Sequence, residues 1–268
     1  MRKPIAQQRR DRADFRRALI LGVIVVAAVA AIVYYKATGE EDRLDKMLCL
    51  EKAGPKGHVI LLVDKTDPLT FTQAKAFNLL LTNLSSRTLV GEGELLSVFV
   101  LGEDFRDTAE PIFEKCNPGD GKDKDPLKNT LSLWKERYEK EFVRPLLSLE
   151  SEMKSITPGK YSPILQMLQV VAIRFAKHDV RGSKRLIIVS DMLQNSPELS
   201  FFKSTPNFKE AQKQPSFSRL RAKLHGVNVT VQLLLHNPQL QKDPLARFWE
   251  EYFREMGGTL QKIEALPG

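Results

Sequence analysis

From Ala18 to Tyr35 the chain runs eighteen residues without a charge, ALILGVIVVAAVAAIVYY. A helix of that length rises about 27 Å at about 1.5 Å per residue, close to the hydrocarbon thickness of a bilayer. The seventeen residues before it carry seven Arg or Lys against two Asp, which is +5 of the chain's formal net charge of +8. Tyr34 and Tyr35 close the other end as interfacial anchors. The pattern predicts a basic cytoplasmic tail at 1–17 and a transmembrane helix at 18–35. By the positive-inside rule, the rest of the chain lies beyond an inner or plasma membrane, in the periplasm or outside the cell. Two other readings compete. A buried core helix would not carry such a basic flank. A cleaved signal peptide has a small-x-small site at Ala28-Val29-Ala30, but the apolar run continues past it to Tyr35. Because most of the basic excess sits in the tail, it is a topology signal, and no nucleic-acid partner is expected.

The remainder reads as folded. A composition 42% hydrophobic excludes wholesale disorder, and two cysteines are too few for a disulfide scaffold or a four-ligand zinc site. Residues 36–56 read as a polar linker with a short helical stretch around Asp42–Lys52. From there apolar runs alternate with longer amphipathic segments. The strand-like runs are His58–Asp64, Glu94–Leu101, Lys184–Asp191, Gly226–Leu235 and Thr259–Leu266. The helical patterns are Thr70–Leu84, Leu127–Lys154 with a break near Pro145, Ser162–His178, a short basic one near Phe217–Leu224, and Asp243–Met256. Residues 102–127 read as a turn-rich loop. Strands alternating with helices imply a doubly wound α/β domain over 57–265, with a mostly parallel sheet and helices on both faces.

In such sheets ligands bind beyond the carboxyl ends of the strands. Asp64 ends the first apolar run and is followed by Lys65-Thr66-Asp67-Pro68. Asp191 ends a later one, and Ser162 opens the helix that precedes it. Carboxylates and hydroxyls gathered at one rim are hard oxygen donors, suited to Mg²⁺ or a similar divalent cation. In their order and surroundings these segments resemble the three motifs of a von Willebrand factor A-type domain. Val63-Asp64-Lys65-Thr66-Asp67-Pro68 resembles its Asp-x-Ser-x-Ser motif. Gly159-Lys160-Tyr161-Ser162-Pro163-Ile164 resembles its Gly-Gly-Thr-Pro-Leu loop, and Ile187-Ile188-Val189-Ser190-Asp191 its strand ending in Asp. The resemblance implies a metal-ion-dependent adhesion site with Asp64, Thr66, Ser162 and Asp191 as ligands. Pro68 stands where the family has a second serine, so the site lacks one oxygen that Asp67 could supply. The same residues admit a plainer role, since Asp64 and Asp67 could cap the helix near 70, Ser162 its own helix, and Asp191 its own loop.

Other chemistry finds less support. An Asp-nucleophile hydrolase of the haloacid dehalogenase type needs a second Asp where Thr66 stands, so an enzyme is not expected. His58, His178, His225 and His236 are scattered at strand and helix ends and read as surface or packing residues. Cys49 and Cys116, both beyond the membrane in this topology, are expected to pair in an oxidising compartment, with two free buried thiols as the alternative. The reading is a membrane-anchored module that binds a protein partner through a cation-held carboxylate. Its alternative is a metal-free scaffold of an envelope complex.

Overall fold

β1 (His58–Asp64) is buried at all seven positions, which a strand achieves only inside a sheet covered on both faces. The computed structural model describes residues 5–37, 43–106, 109–123, 131–154, 159–178 and 180–266, with only the backbone at 5–14, 36–37 and 152–154. α1 (Ile5–Ala37) holds the apolar run. Its segment Phe15–Tyr35 has a mean hydropathy of 2.7 and none of it is buried, so it is long and apolar enough to cross a membrane.

After β1 come α2 (Phe71–Ser85), β2 (Leu95–Leu101), β3 (Phe113–Cys116), α3 (Leu131–Arg137) and α4 (Arg144–Lys154). Then follow α5 (Ile164–His178), β4 (Lys184–Ser190), α6 (Phe208–Gln212), β5 (Val227–Leu233), α7 (Asp243–Glu255) and β6 (Thr259–Ala265). The strand order is β3-β2-β1-β4-β5-β6. All neighbours pair in parallel except β2 and β3. The doubly wound, mostly parallel α/β fold expected from the sequence is the one observed.

Alternation along the strands sorts the core into two layers. Ile60, Leu62, Leu186, Ile188, Val229 and Val231 face α5, α6 and α7. Val59, Leu61, Val63, Ile187 and Val189 face α2 and α4. The second layer is narrower than the first. On β5, Asn228 is exposed and Thr230 and Gln232 half-exposed between buried valines, the signature of a strand wetted on one side.

Several local readings need correction. β3 lies inside the stretch read as loop; its four residues pair antiparallel with β2, and so short a strand depends on its neighbour rather than on its own pattern. The helical stretch near Asp42–Lys52 is absent over 43–52, and Asp42 lies outside the described residues. There the Asp45 carboxylate accepts from the Met47 and Cys49 amides, and Leu48 takes φ 61°, so an Asx turn replaces a helix. Residues 43–56 dock at the carboxyl end of β3, where Cys116 N–H donates to the Met47 carbonyl and a disulfide joins Cys49 to Cys116. The break in the long helix precedes Pro145 rather than coinciding with it. Residues Tyr138–Val143 form a π-helical turn in which Arg144 N–H reaches Glu139 O; the Pro145 ring crowds the carbonyl four residues back, and the turn widens to accommodate it. The basic helix near Phe217–Leu224 is a 3₁₀ turn over Pro215–Leu220, preceded by α6.

Candidate functional site

Val63 pairs with Val189, so β1 and β4 end side by side and deliver their next residues to the same rim. Asp64 is 4% exposed. Its Oδ1 accepts from the Thr66 amide at 3.0 Å and the Thr66 hydroxyl at 2.7 Å. Its Oδ2 accepts from the Ser162 hydroxyl at 2.9 Å and the Ser190 hydroxyl at 2.8 Å. Segments 98 and 126 residues away thus converge on one carboxylate. Burial holds the Asp64 pKa above the usual carboxylate range, against the pull of these four bonds.

α2 is capped by Thr70 and Gln73 in a reciprocal capping box, not by Asp64 or Asp67. At α5 the Leu165 amide donates to Gln194 Oε1, while the Ser162 hydroxyl turns to Asp64. Thr66 and Ser162 give their protons to Asp64, so their oxygen lone pairs stay available.

Asp191 is 3% exposed. Its Oδ1 accepts from the Leu193 amide at 2.8 Å, whereas its Oδ2 is buried with no hydrogen-bond partner. Burial and the negative charge of Asp64 push its pKa up to about 7. Met192, the next residue, holds φ 59°, a left-handed backbone that costs a non-glycine residue energy. The bond from Trp249 Nε1 to the Met192 carbonyl, at 3.0 Å, helps keep it there.

Asp67, half-exposed, completes the group with a residue the sequence reading set aside. Ligand atoms of Asp67, Asp191 and His236 lie within 4.8 Å of one another. His236 follows β5, and its Nδ1 stands 3.9 Å from Asp67 Oδ2. The Asp67 carboxylate raises the His236 pKa, against burial. A signal for His236 existed: it follows the apolar run of β5 much as Asp64 and Asp191 end theirs. The five expected residues therefore meet at one rim, Asp64, Thr66 and Ser162 in a hydrogen-bonded inner layer and Asp67 and Asp191 beside it with His236.

A divalent cation is what the resemblance implies, and the residues fit one. A buried carboxylate oxygen without a donor, set among two further carboxylates, is an environment that positive charge relieves.

No family profile and no curated protein matches the chain. Among solved structures, an aerotolerance-related membrane protein from Bacteroides fragilis, carrying multiple mutations to serine, is similar at 12% identity. The alignment covers 66% of this chain and 66% of that one, with a TM-score of 0.33. The manganese-loaded TRAP protein of Plasmodium vivax is similar at 16% identity over 75% of this chain and 63% of its own, with a TM-score of 0.36. BatB from Bacteroides thetaiotaomicron, described as a conserved hypothetical protein, is similar at 12% identity over 66% of each chain, with a TM-score of 0.31. The chain spans just under two thirds of the length of each. The strand order is that of a doubly wound α/β sheet, and the three segments that resemble von Willebrand A motifs meet at one carboxyl rim.

Proposed function

We propose that this chain is a membrane-anchored module that binds a protein partner, using a divalent cation at the carboxyl rim to accept a carboxylate of that partner. Asp67 and Asp191 would hold the cation, the Thr66 and Ser162 oxygens would line it, and Asp64 would orient those hydroxyls from behind. The partner's carboxylate would complete the coordination shell, and the surrounding loops would supply specificity. In this reading residues 1–17 are cytoplasmic, 18–35 span the membrane, 36–56 connect, and 57–265 are presented in the periplasm or outside the cell. The disulfide between Cys49 and Cys116 supports that side of the membrane, because such bonds persist in oxidising compartments.

The observation that carries the proposal is the Asp191 Oδ2 atom, buried without a partner among like charges. The test is the melting temperature of the detergent-solubilised full chain with millimolar divalent cations or with chelator. A rise with cation that is lost in Asp191→Asn supports the site. An unchanged melting temperature with every divalent cation tried favours the second reading, a metal-free scaffold. That reading draws on two facts: Pro68 offers no side-chain donor, and Asp64 is already saturated by four bonds within the chain.

A further inference from the structure

His236 stands beside two carboxylates, Asp67 and Asp191, and its two ring nitrogens are committed differently. Its Nε2 lies 3.3 Å from Gln73 Oε1. The capping box identifies that Gln73 atom as an oxygen, because it accepts the Thr70 amide at 2.9 Å. Facing an acceptor, Nε2 carries the ring proton and donates it. In the neutral ring Nδ1 is then a bare lone pair, buried and without a hydrogen-bond partner, on the side of the ring that meets Asp67 and Asp191. A histidine that ligates a metal normally has its second nitrogen fixed in this way by an outside acceptor, which sets tautomer and ring orientation together.

The backbone supports the same arrangement. Gln241 accepts the His236 and Asn237 amides through Oε1, at 3.1 and 2.9 Å. Its Nε2 donates to the Asp191 carbonyl at 3.0 Å and the Leu234 carbonyl at 2.6 Å. One side chain therefore ties the loop after β5 to the residue that follows β4, and His236 and Asp191 sit in a common frame. Two ligands on one small cation lie about 3 Å apart when adjacent and about 4 Å when opposite. The 3.9 Å between Nδ1 and Asp67 Oδ2 falls in that range.

We infer that His236 Nδ1 is a ligand at this rim, and that the site therefore selects a divalent first-row transition cation, in the manner of Mn²⁺ or Co²⁺, over Mg²⁺ and Ca²⁺. The inference rests on the cation site proposed above and deepens it. Magnesium and calcium favour oxygen shells and gain little from an imidazole, whereas transition cations bind nitrogen well. Two carboxylates and one imidazole, fixed before any ion arrives, form a mixed donor set rather than the all-oxygen one the sequence implied.

The test uses the full chain, without an affinity tag containing histidine, in detergent. Calorimetric titration compares Mg²⁺, Ca²⁺, Mn²⁺ and Co²⁺, and pulsed electron paramagnetic resonance on the Mn²⁺ complex looks for a coupled imidazole nitrogen. The expected result is Mn²⁺ and Co²⁺ binding at least about tenfold tighter than Mg²⁺, with a nitrogen coupling in the parent. His236→Gln should lose the coupling and weaken Mn²⁺ by at least about tenfold while changing Mg²⁺ little. The unliganded melting temperature reports whether that variant folds, and the nitrogen coupling of the parent stands independently of it. Equal affinities for Mg²⁺ and Mn²⁺, or Mn²⁺ bound without nitrogen coupling, would leave the cation site standing and overturn the role of His236. Failure of every cation to bind would overturn the site itself.

Discussion

The two ends of the sheet both bury ionisable side chains, and they treat them in opposite ways. At the amino end, Arg174 is 6% exposed and pairs with Glu110 and, at 3.3 Å, with Glu114. Glu114 also accepts from His178 at 3.0 Å and from the Ser97 hydroxyl at 2.8 Å, and His58 meets Ser97 at 2.8 Å. Cation and anion face each other in this network, and the ring nitrogen it leaves over, His58 Nδ1, has no carboxylate partner. At the carboxyl end, Asp64, Asp67 and Asp191 gather with one imidazole, and Asp191 Oδ2 and His236 Nδ1 are buried without a hydrogen-bond partner. A network in which each carboxylate meets a cation holds the fold together, whereas a cluster left short of positive charge costs stability and is kept for what it can bind.

The largest contrast should come from removing the cation of the amino-end network. Arg174→Met keeps much of the buried volume but leaves Glu114 with only His178 and Ser97, and breaking a buried pair from one side costs about 3 kcal/mol. Chemical unfolding followed by tryptophan fluorescence would measure it; a loss below about 1 kcal/mol would mean that this end is held by packing alone.

His58 provides a pH readout of the same end. With the Ser97 proton given to Glu114, His58 donates through Nε2 and its Nδ1 has no partner. Burial, then the neighbouring His178, Arg174 and Lys184, bring its pKa down to about 3. A histidine lowered on folding binds fewer protons in the native state. Its contribution to stability is complete above about pH 6.5 and is lost progressively as the pH falls toward 3. Unfolding free energy measured from pH 7 to pH 4 should therefore fall more steeply in the parent than in His58→Gln, by a few kcal/mol across the range. Parallel curves would show that this imidazole titrates freely.

What could be read in advance follows from where the information lies. β1, β4 and α5 announce themselves because burial pattern and proline placement are local. Asp64 and Asp191 were legible by the same logic, as polar residues ending apolar runs at the rim where doubly wound sheets bind ligands. β3 was not legible, since Phe113–Cys116 is a strand only by virtue of β2 and the bond to Cys49. His236 was not assigned because its chemistry is set from 163 residues away, by the Gln73 oxygen that fixes its tautomer. A lone histidine carries no such mark in sequence.

The sharpest comparison between the two ends is one of sign. Asp191→Asn keeps an oxygen for the Leu193 amide and replaces the orphaned Oδ2 with an amide nitrogen in the group that holds Asp67 and His236. Above pH 7 in chelator the variant should be more stable than the parent by about 1 kcal/mol, because a buried charge without a partner has become a neutral group. With cation present the order should reverse, since only the parent gains binding energy, which grows with the ratio of cation concentration to Kd. The amino end offers no such reversal, because every removal there leaves a partner behind. If Asp191→Asn destabilises in chelator and in cation alike, the carboxyl end is also a structural network, and the asymmetry between the two ends disappears.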